Sequence, residues 1–202
     1  AFGEVNIYNG GQKLSYLSIN GRIREQIYTY FNYVDSQGRT KEIPAYCVNP
    51  NTKGVPQSVA PGESIKYLAE EKGNDPKVMG IIANGYPTRS LSELKLENKY
   101  HAYYATKMAL WCYLIPSWDI SNLKVAPGLS GSELDIGNRI LAAAKDIYKR
   151  GTTYNYMLTF RRFCKKNHCY SVNGFFIFKF SVYSFYPYSS GLTVFCFIAV
   201  GV

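Results

Sequence analysis

The chain has 202 residues, a near-half apolar composition, 16% aromatic residues and a net charge of +9. That length can bury a core as one domain or two small ones, and the surplus of tyrosine and phenylalanine favours strands and half-buried surfaces. The charge does not mark a nucleic-acid-binding protein. Residues 1–150 carry 18 Lys/Arg against 14 Asp/Glu and residues 151–202 carry five against none, while the early basic residues are scattered singly without a Gly-rich phosphate loop, as on an ordinary solvated surface.

In chain order, residues 1–50 read as strands. Arg22 to Val34 is rich in β-branched and aromatic residues, Asp35-Ser36-Gln37-Gly38 supplies a turn, and Arg39 to Val48 returns as a second strand. Cys47 then lies near the end of a hairpin strand, and Asn49 to Pro56 is a loop by composition. Residues 63–150 read as helices. Asp75-Pro76 is an N-cap and first-turn pair opening a helix that stops at Asn84-Gly85. Ser90 to Glu93 and Ser130 to Glu133 have the spacing of capping boxes. Tyr100 to Ile115 is apolar on nearly every side, which predicts a buried helix ended by Pro116. Leu134, Ile140, Leu141, Ala144, Ile147 and Tyr148 form one stripe, with Gly151 as the closing residue. Strands first and helices after give an α+β fold: a β-sandwich or barrel part carrying the cysteine, and a helical part over about residues 63–150 packed against it.

The tail from residue 151 to 202 changes style. It holds nine of the eleven phenylalanines, and the last acidic residue is Asp146. Three readings are open: final strands of the β part, a membrane span, or an out-of-frame translation of an A/T-rich gene. Lys179, Pro187 and the short last apolar run argue against a span, so no membrane insertion is expected, and the out-of-frame reading is the working expectation. Five cysteines form no dense disulfide framework. Cys164, His168 and Cys169 are too compactly spaced and too few for zinc, so neither a metal nor a cofactor is expected. Ala1-Phe2-Gly3-Glu4 follows either a cleaved leader or an arbitrary edge.

Three segments carry a family resemblance. Tyr46-Cys47-Val48-Asn49 is an aromatic-Cys-aliphatic-polar block, Asn84-Gly85-Tyr86-Pro87 is an N-G-Y-P turn, and Thr106-Lys107-Met108-Ala109-Leu110-Trp111 has the form of a T-Q-x-A block with lysine at the glutamine position. In order and spacing they resemble the thioester domain of Gram-positive surface proteins. The resemblance implies an extracellular, wall-associated adhesin module. Its β part and helical part enclose a Cys–Gln thioester, and a lysine amine of a host or matrix protein attacks that bond to leave an isopeptide link. This is single-use crosslinking rather than enzymatic turnover, and it needs a site closed to water. Cys47 is the implied thiol, Lys107 stands at the T-Q-x-A glutamine position, and Tyr46, Tyr86, Thr106 and Trp111 line the site.

The acyl donor is the missing part. In the family the resemblance points to, the glutamine of the thioester belongs to a later strand, yet the only glutamines here are Gln12, Gln26, Gln37 and Gln57. Lysine at 107 cannot supply an acyl group, and beside a thioester it would be an internal nucleophile. The expectation is a thioester-type domain without a thioester, with a non-covalent adhesin or structural surface module as the alternative. Taken singly, the residues have plainer roles: Cys47 and Cys112 as small buried hydrophobes, Lys107 with its stem packed and its ammonium in water, Tyr103, Tyr104, Met108 and Trp111 as core, and His101 as a polar helix residue.

Overall fold

The computed structural model describes residues 4–34, 37–48, 55, 58–71, 75–153, 180–187 and 194–199. The N-terminal segment supplies five strands: β1 (Glu4–Leu14), β2 (Leu17–Ile19), β3 (Arg22–Ile23), β4 (Gln26–Val34) and β5 (Thr40–Cys47). The β-rich stretch predicted from Arg22 to Val34 is therefore two strands, with β3 turned into a separate small sheet. β6 (Ser64–Glu71) follows. Its place corrects the expectation of helices from residue 63 onward. The alternation of Ile65, Tyr67 and Ala69 is too short and polar to stand out, and pairing with β1 from Glu4↔Leu68 to Tyr8↔Ser64 decides the matter. A two-residue strand, β7 (Lys124–Val125), interrupts the helices a second time by pairing with β2.

Local side-chain chemistry caps the starts of the first three helices. In α1 (Pro76–Ala83) the Asp75 carboxylate accepts from the backbone N–H groups of Lys77 and Val78, Pro76 sits in the first turn, and Asn84 is the C-cap. Ser90 and Glu93 form a complete capping box on α2 (Leu91–Leu94). α3 (Lys99–Leu114) is capped by Asn98 and buries residues from His101 to Leu110 without interruption. α4 (Gly131–Thr153) buries Ile140, Ala143, Ala144 and Ile147. Two details of its predicted stripe differ. Leu134 is exposed, and Gly151 does not close the helix, which continues to Thr153. Gly151 is instead a point of close approach, where an added Cβ would overlap the Ile81 backbone of α1. Burial, and then the neighbouring Glu133 carboxylate, raises the Tyr16 hydroxyl above its ordinary range.

β8 (Phe180–Pro187) and β9 (Val194–Ala199) complete a closed six-stranded barrel in the order β1-β4-β5-β9-β8-β6. β9 pairs with β5 and β8 pairs with β6, both antiparallel. Closure leaves this sheet without an exposed edge. The second sheet, β3-β2-β7, lies under the helices. Residues 154–179, which include Cys164, His168 and Cys169, lie outside the described residues, as do Asn49 and Pro50. Among the described residues no helix is long and apolar enough to cross a membrane, and no group of three potential ligands could hold a metal ion.

Two buried layers result. Leu14, Tyr28 and Tyr46 from the strands join Tyr103, Met108, Ile81 and Ile140 from the helices in one cluster. Ile7, Phe31, Ile43, Ala45 and Cys47 are equally buried but stand outside that cluster. Strand alternation accounts for the split: Tyr46 faces α3, and its neighbours Ala45 and Cys47 face the barrel interior.

Candidate functional site

The three motif segments meet at the seam between β5 and α3. Tyr46, fully buried on β5, stacks on Tyr103 of α3 with ring centroids 4.9 Å apart, and its hydroxyl donates to the Tyr86 carbonyl at 2.6 Å. The backbone N–H of Tyr86 donates to the Thr106 hydroxyl at 3.0 Å, and that hydroxyl donates to the Ala102 carbonyl one turn earlier at 2.8 Å. Gly85 makes the approach possible, because any Cβ there would overlap the Thr106 side chain. One turn further on, Trp111 Nε1 donates to the carbonyl of Cys47 at 3.0 Å. Apart from the Thr106–Ala102 bond within α3, each contact joins residues 20 to 64 positions apart, so the N-G-Y-P turn and the T-x-x-A helix hold β5 in place at its last two residues. Burial drives the Tyr46 hydroxyl well above the ordinary tyrosine range, with Tyr103 beside it adding to the shift. Tyr46 is therefore a neutral donor at any physiological pH.

Lys107 differs from its sequence-based reading. Its side chain is buried rather than reaching water, with only 7% of the residue exposed. The ammonium lies 3.4 Å from the Tyr103 hydroxyl, 5.5 Å from the centre of that ring and 5.2 Å from the ring of Trp111. Two aromatic faces and a phenol oxygen stand in for the hydration shell. The reason lies in the helix: i and i+4 spacing sets Tyr103 and Trp111 one turn either side of Lys107, and all three lie under β5.

The structure thus brings Tyr46, Tyr86, Thr106, Lys107 and Trp111 together on the helix side. Cys47 belongs to the same backbone network, but its side chain is not part of the cluster that Tyr46 joins. It is 6% exposed. Across the ladder its direct Cα partner is Cys196 of β9, preceded along β5 by the pairs Ala45↔Ile198 and Tyr46↔Phe197.

A second group of polar residues borders the seam and was not singled out from sequence. The Tyr28 hydroxyl donates to Glu42 at 2.6 Å, and Lys99 makes an ion pair with the same carboxylate oxygen at 2.7 Å. Lys99 also faces the rings of Tyr28 and Tyr100. Burial first, then the Glu42 carboxylate, raises the Tyr28 hydroxyl far above its usual range. Thr29 completes the wall by donating to the Ala45 carbonyl at 2.8 Å and bonding the Tyr103 hydroxyl at 2.9 Å. The period-2 pattern of β4 made Tyr28 and Tyr30 visible as strand residues, but nothing local indicated that Glu42 and Lys99, 57 positions apart, would pair. His101, read as a polar helix residue, is buried against Tyr16 with ring centroids 5.3 Å apart. Burial lowers its pKa despite the opposing pull of Glu97 and Glu133. Cys112 is a buried thiol pushed up to about 12, first by burial and then by Asp119. It is inert as a nucleophile.

Comparison with known proteins follows the same lines. No curated protein matches the chain. Among solved structures, the N-terminal domain of the Streptococcus pyogenes pilus tip adhesin Cpa superposes with a TM-score of 0.56 at 18% identity, over 98% of this chain and 93% of that one. The thioester domain of the Enterococcus faecium TIE86 protein gives 0.52 at 15% identity, over 90% of this chain and 60% of that one. The Bacillus anthracis TIE protein gives 0.53 at 13% identity, over 98% of this chain and 39% of that one. At such identities the likeness is one of fold. This chain spans about three fifths of the Enterococcus faecium chain and two fifths of the Bacillus anthracis chain. The family profile described as TED, Thioester domain, matches residues 44–153, just over half of the chain and all three motif segments. The chain belongs to the thioester domain family.

Proposed function

We propose that this chain is a module of a Gram-positive cell-surface protein, that its family role is covalent adhesion to a lysine amine of a host or matrix protein, and that this copy carries no thioester. One observation carries the second half of the reading: the strand that pairs with β5 sets Cys196, not a glutamine, opposite Cys47. The glutamines support it. Gln12 and Gln37 are exposed, and the buried Gln26 shares the Tyr28 face of β4, across the sheet from the face of Cys47. The T-Q-x-A position holds a lysine whose ammonium is occupied by two rings.

The chemistry defines the test. Thioester formation expels one ammonia, and methylamine then adds to the acyl carbon. Intact-mass measurement of the purified chain is expected to show the unmodified mass, unchanged by methylamine. A mass lower by one ammonia that gains one methylamine would overturn the reading. Lys107→Gln is expected to leave the mass at its unmodified value as well, because none of the described glutamines lies opposite Cys47 in the sheet. In the alternative reading the module is a non-covalent adhesin that uses the same fold, and adhesion surviving Cys47→Ala would favour it. Neither reading involves turnover, a cofactor or nucleic acid. The acid-free composition beyond residue 150 keeps an out-of-frame origin for that segment within the proposal. Sequencing the gene tests it, and an adjacent frame with no better continuation would remove it.

A further inference from the structure

We propose that Arg24, held over Trp118, binds a carboxylate of an extended acidic peptide, and that Arg22 takes a second carboxylate two residues along. Arg24 follows β3 directly, and both polar atoms of its backbone are fixed. Its N–H donates to the Leu17 carbonyl at 2.9 Å, and its carbonyl accepts from the Tyr104 hydroxyl at 2.6 Å. The guanidinium carbon lies 4.3 Å from the centre of the Trp118 ring. Trp118 is itself buried and leans on Trp111, with ring centroids 5.9 Å apart. Asn20, in the turn between β2 and β3, ties down the same loop by donating to the Ser117 carbonyl at 2.8 Å. The cation is therefore positioned before any ligand arrives.

What Arg24 lacks is an anion. Among the described residues no acid pairs with it, and its Nε is buried without a hydrogen-bond partner. The acids nearest in sequence are engaged elsewhere. Glu25 lies 3.7 Å from the Lys13 ammonium, and Asp119 accepts from the backbone N–H of Ser121 at 2.8 Å. Burial, and then the positive charge of Arg22, lowers the Arg24 pKa, so the fold holds a partly desolvated guanidinium with no counter-charge. The residue is only half-buried, which leaves the fork of its two terminal nitrogens as the part open to solvent. A carboxylate meets such a fork with two oxygens and supplies the missing charge.

Charge and spacing choose the ligand. One guanidinium matches the single charge of a carboxylate, whereas a phosphate group carries nearly two. Arg22 opens β3, is exposed, and stands two positions before Arg24. Residues two apart in an extended chain are separated by about 6.5 Å. Two glutamates separated by one residue have that same spacing in an extended peptide, so the pair of arginines favours a peptide over a lone organic acid.

Both tryptophans of the chain, Trp111 and Trp118, lie at this site, so their emission reports occupancy directly. The test titrates the full chain at low ionic strength with a capped glutamate-glycine-glutamate peptide, while calorimetry measures the same affinity in variants whose emission differs. The expected result is a saturable change in tryptophan emission that added salt weakens. Arg24→Met is expected to reduce the affinity about tenfold or more. Arg22→Met should reduce it severalfold, as should Arg24→Lys, which keeps the charge and loses the fork. The proposal is overturned by the absence of a saturable signal, by equal binding of the glutamine-glycine-glutamine peptide, or by undiminished binding to Arg24→Met. Glucuronate binding as tightly as the peptide would overturn the assignment to a peptide. If Arg24→Met fails to fold, the glutamate and glutamine peptides compared on the unsubstituted chain, together with Arg22→Met, still decide.

Discussion

Lys107 changes most between sequence and structure. An isolated lysine between aromatic residues reads as a snorkelling side chain, because the stem is apolar and water is normally within reach. Here β5 covers α3 and removes the water, so the ammonium rests on Tyr103 and Trp111. Such contacts recover only part of the hydration energy of a charge, up to about 2 kcal/mol. Lys107→Met, which keeps the stem and removes the charge, is therefore expected to leave stability within about 1 kcal/mol of the parent or to raise it. Lys107→Ala, which also empties the space, should cost about 2–3 kcal/mol, and urea denaturation separates the two. His101 makes the second residue-scale case. Burial lowers its pKa in the folded chain below the unfolded value of 6.5, so the unfolded state binds the proton more tightly. The stability that neutral His101 contributes is complete above pH 6.5 and is lost as the pH falls through the folded value. His101→Gln should flatten the fall in melting midpoint just below pH 6.5, and a pH series of thermal melts checks it. Asp146, whose burial penalty is outweighed by Arg150 and Arg89, titrates below the ordinary carboxylate range and outside that window.

At the scale of elements, the helices were more legible than the strands, and the difference is physical. Caps act within four residues, so Asp75-Pro76 and Ser90-x-x-Glu93 announce α1 and α2 directly. The apolar run of α3 is equally local. β6 and β7 are strands because of partners some sixty and more than a hundred residues earlier in the chain, β1 and β2, and no window on the sequence contains both. The same distinction applies to Gly151. Read alone it looks like a helix stop, but its role is set by α1, whose Ile81 backbone leaves no room for a Cβ. Gly151→Ala should force the α1–α4 contact apart at a cost of about 1–3 kcal/mol, in spite of alanine's better helix propensity. Chemical denaturation checks both sign and size: a stabilised variant would show that the two helices yield at this point.

For the molecule as a whole, the motif segments converge on one seam, where the Tyr46 and Thr106 side chains bond the backbone of Tyr86 and Trp111 bonds that of Cys47. The sequence order of the three blocks was readable. Which face of β5 carries the thiol was not, since that depends on register with α3 on one side and β9 on the other. Closure of the barrel likewise depends on the antiparallel pair β8 and β9, and only its strand-forming composition was visible in advance. Truncation after Thr153 removes β8 and β9 and leaves β5 and β6 as bare edges. The shortened chain is expected to self-associate at micromolar concentration while keeping its helical signal. Light scattering and circular dichroism check this together, and a monodisperse monomer would contradict it.

The pairing of β5 with β9 has a consequence in time as well as in space. Cys47 and its ladder partner are 149 positions apart (196 − 47), whereas the seam that grips β5 from the helix side is complete by Trp111. A chain leaving the ribosome from its N-terminus can thus assemble β1, β4, β5 and the helices while the barrel still lacks a third of its strands. Contacts of such long range form slowly, because the loop entropy must be overcome before any pairing is gained. During that interval the thiol faces an open groove, so the chemistry available to Cys47 is decided by the order in which the strands arrive.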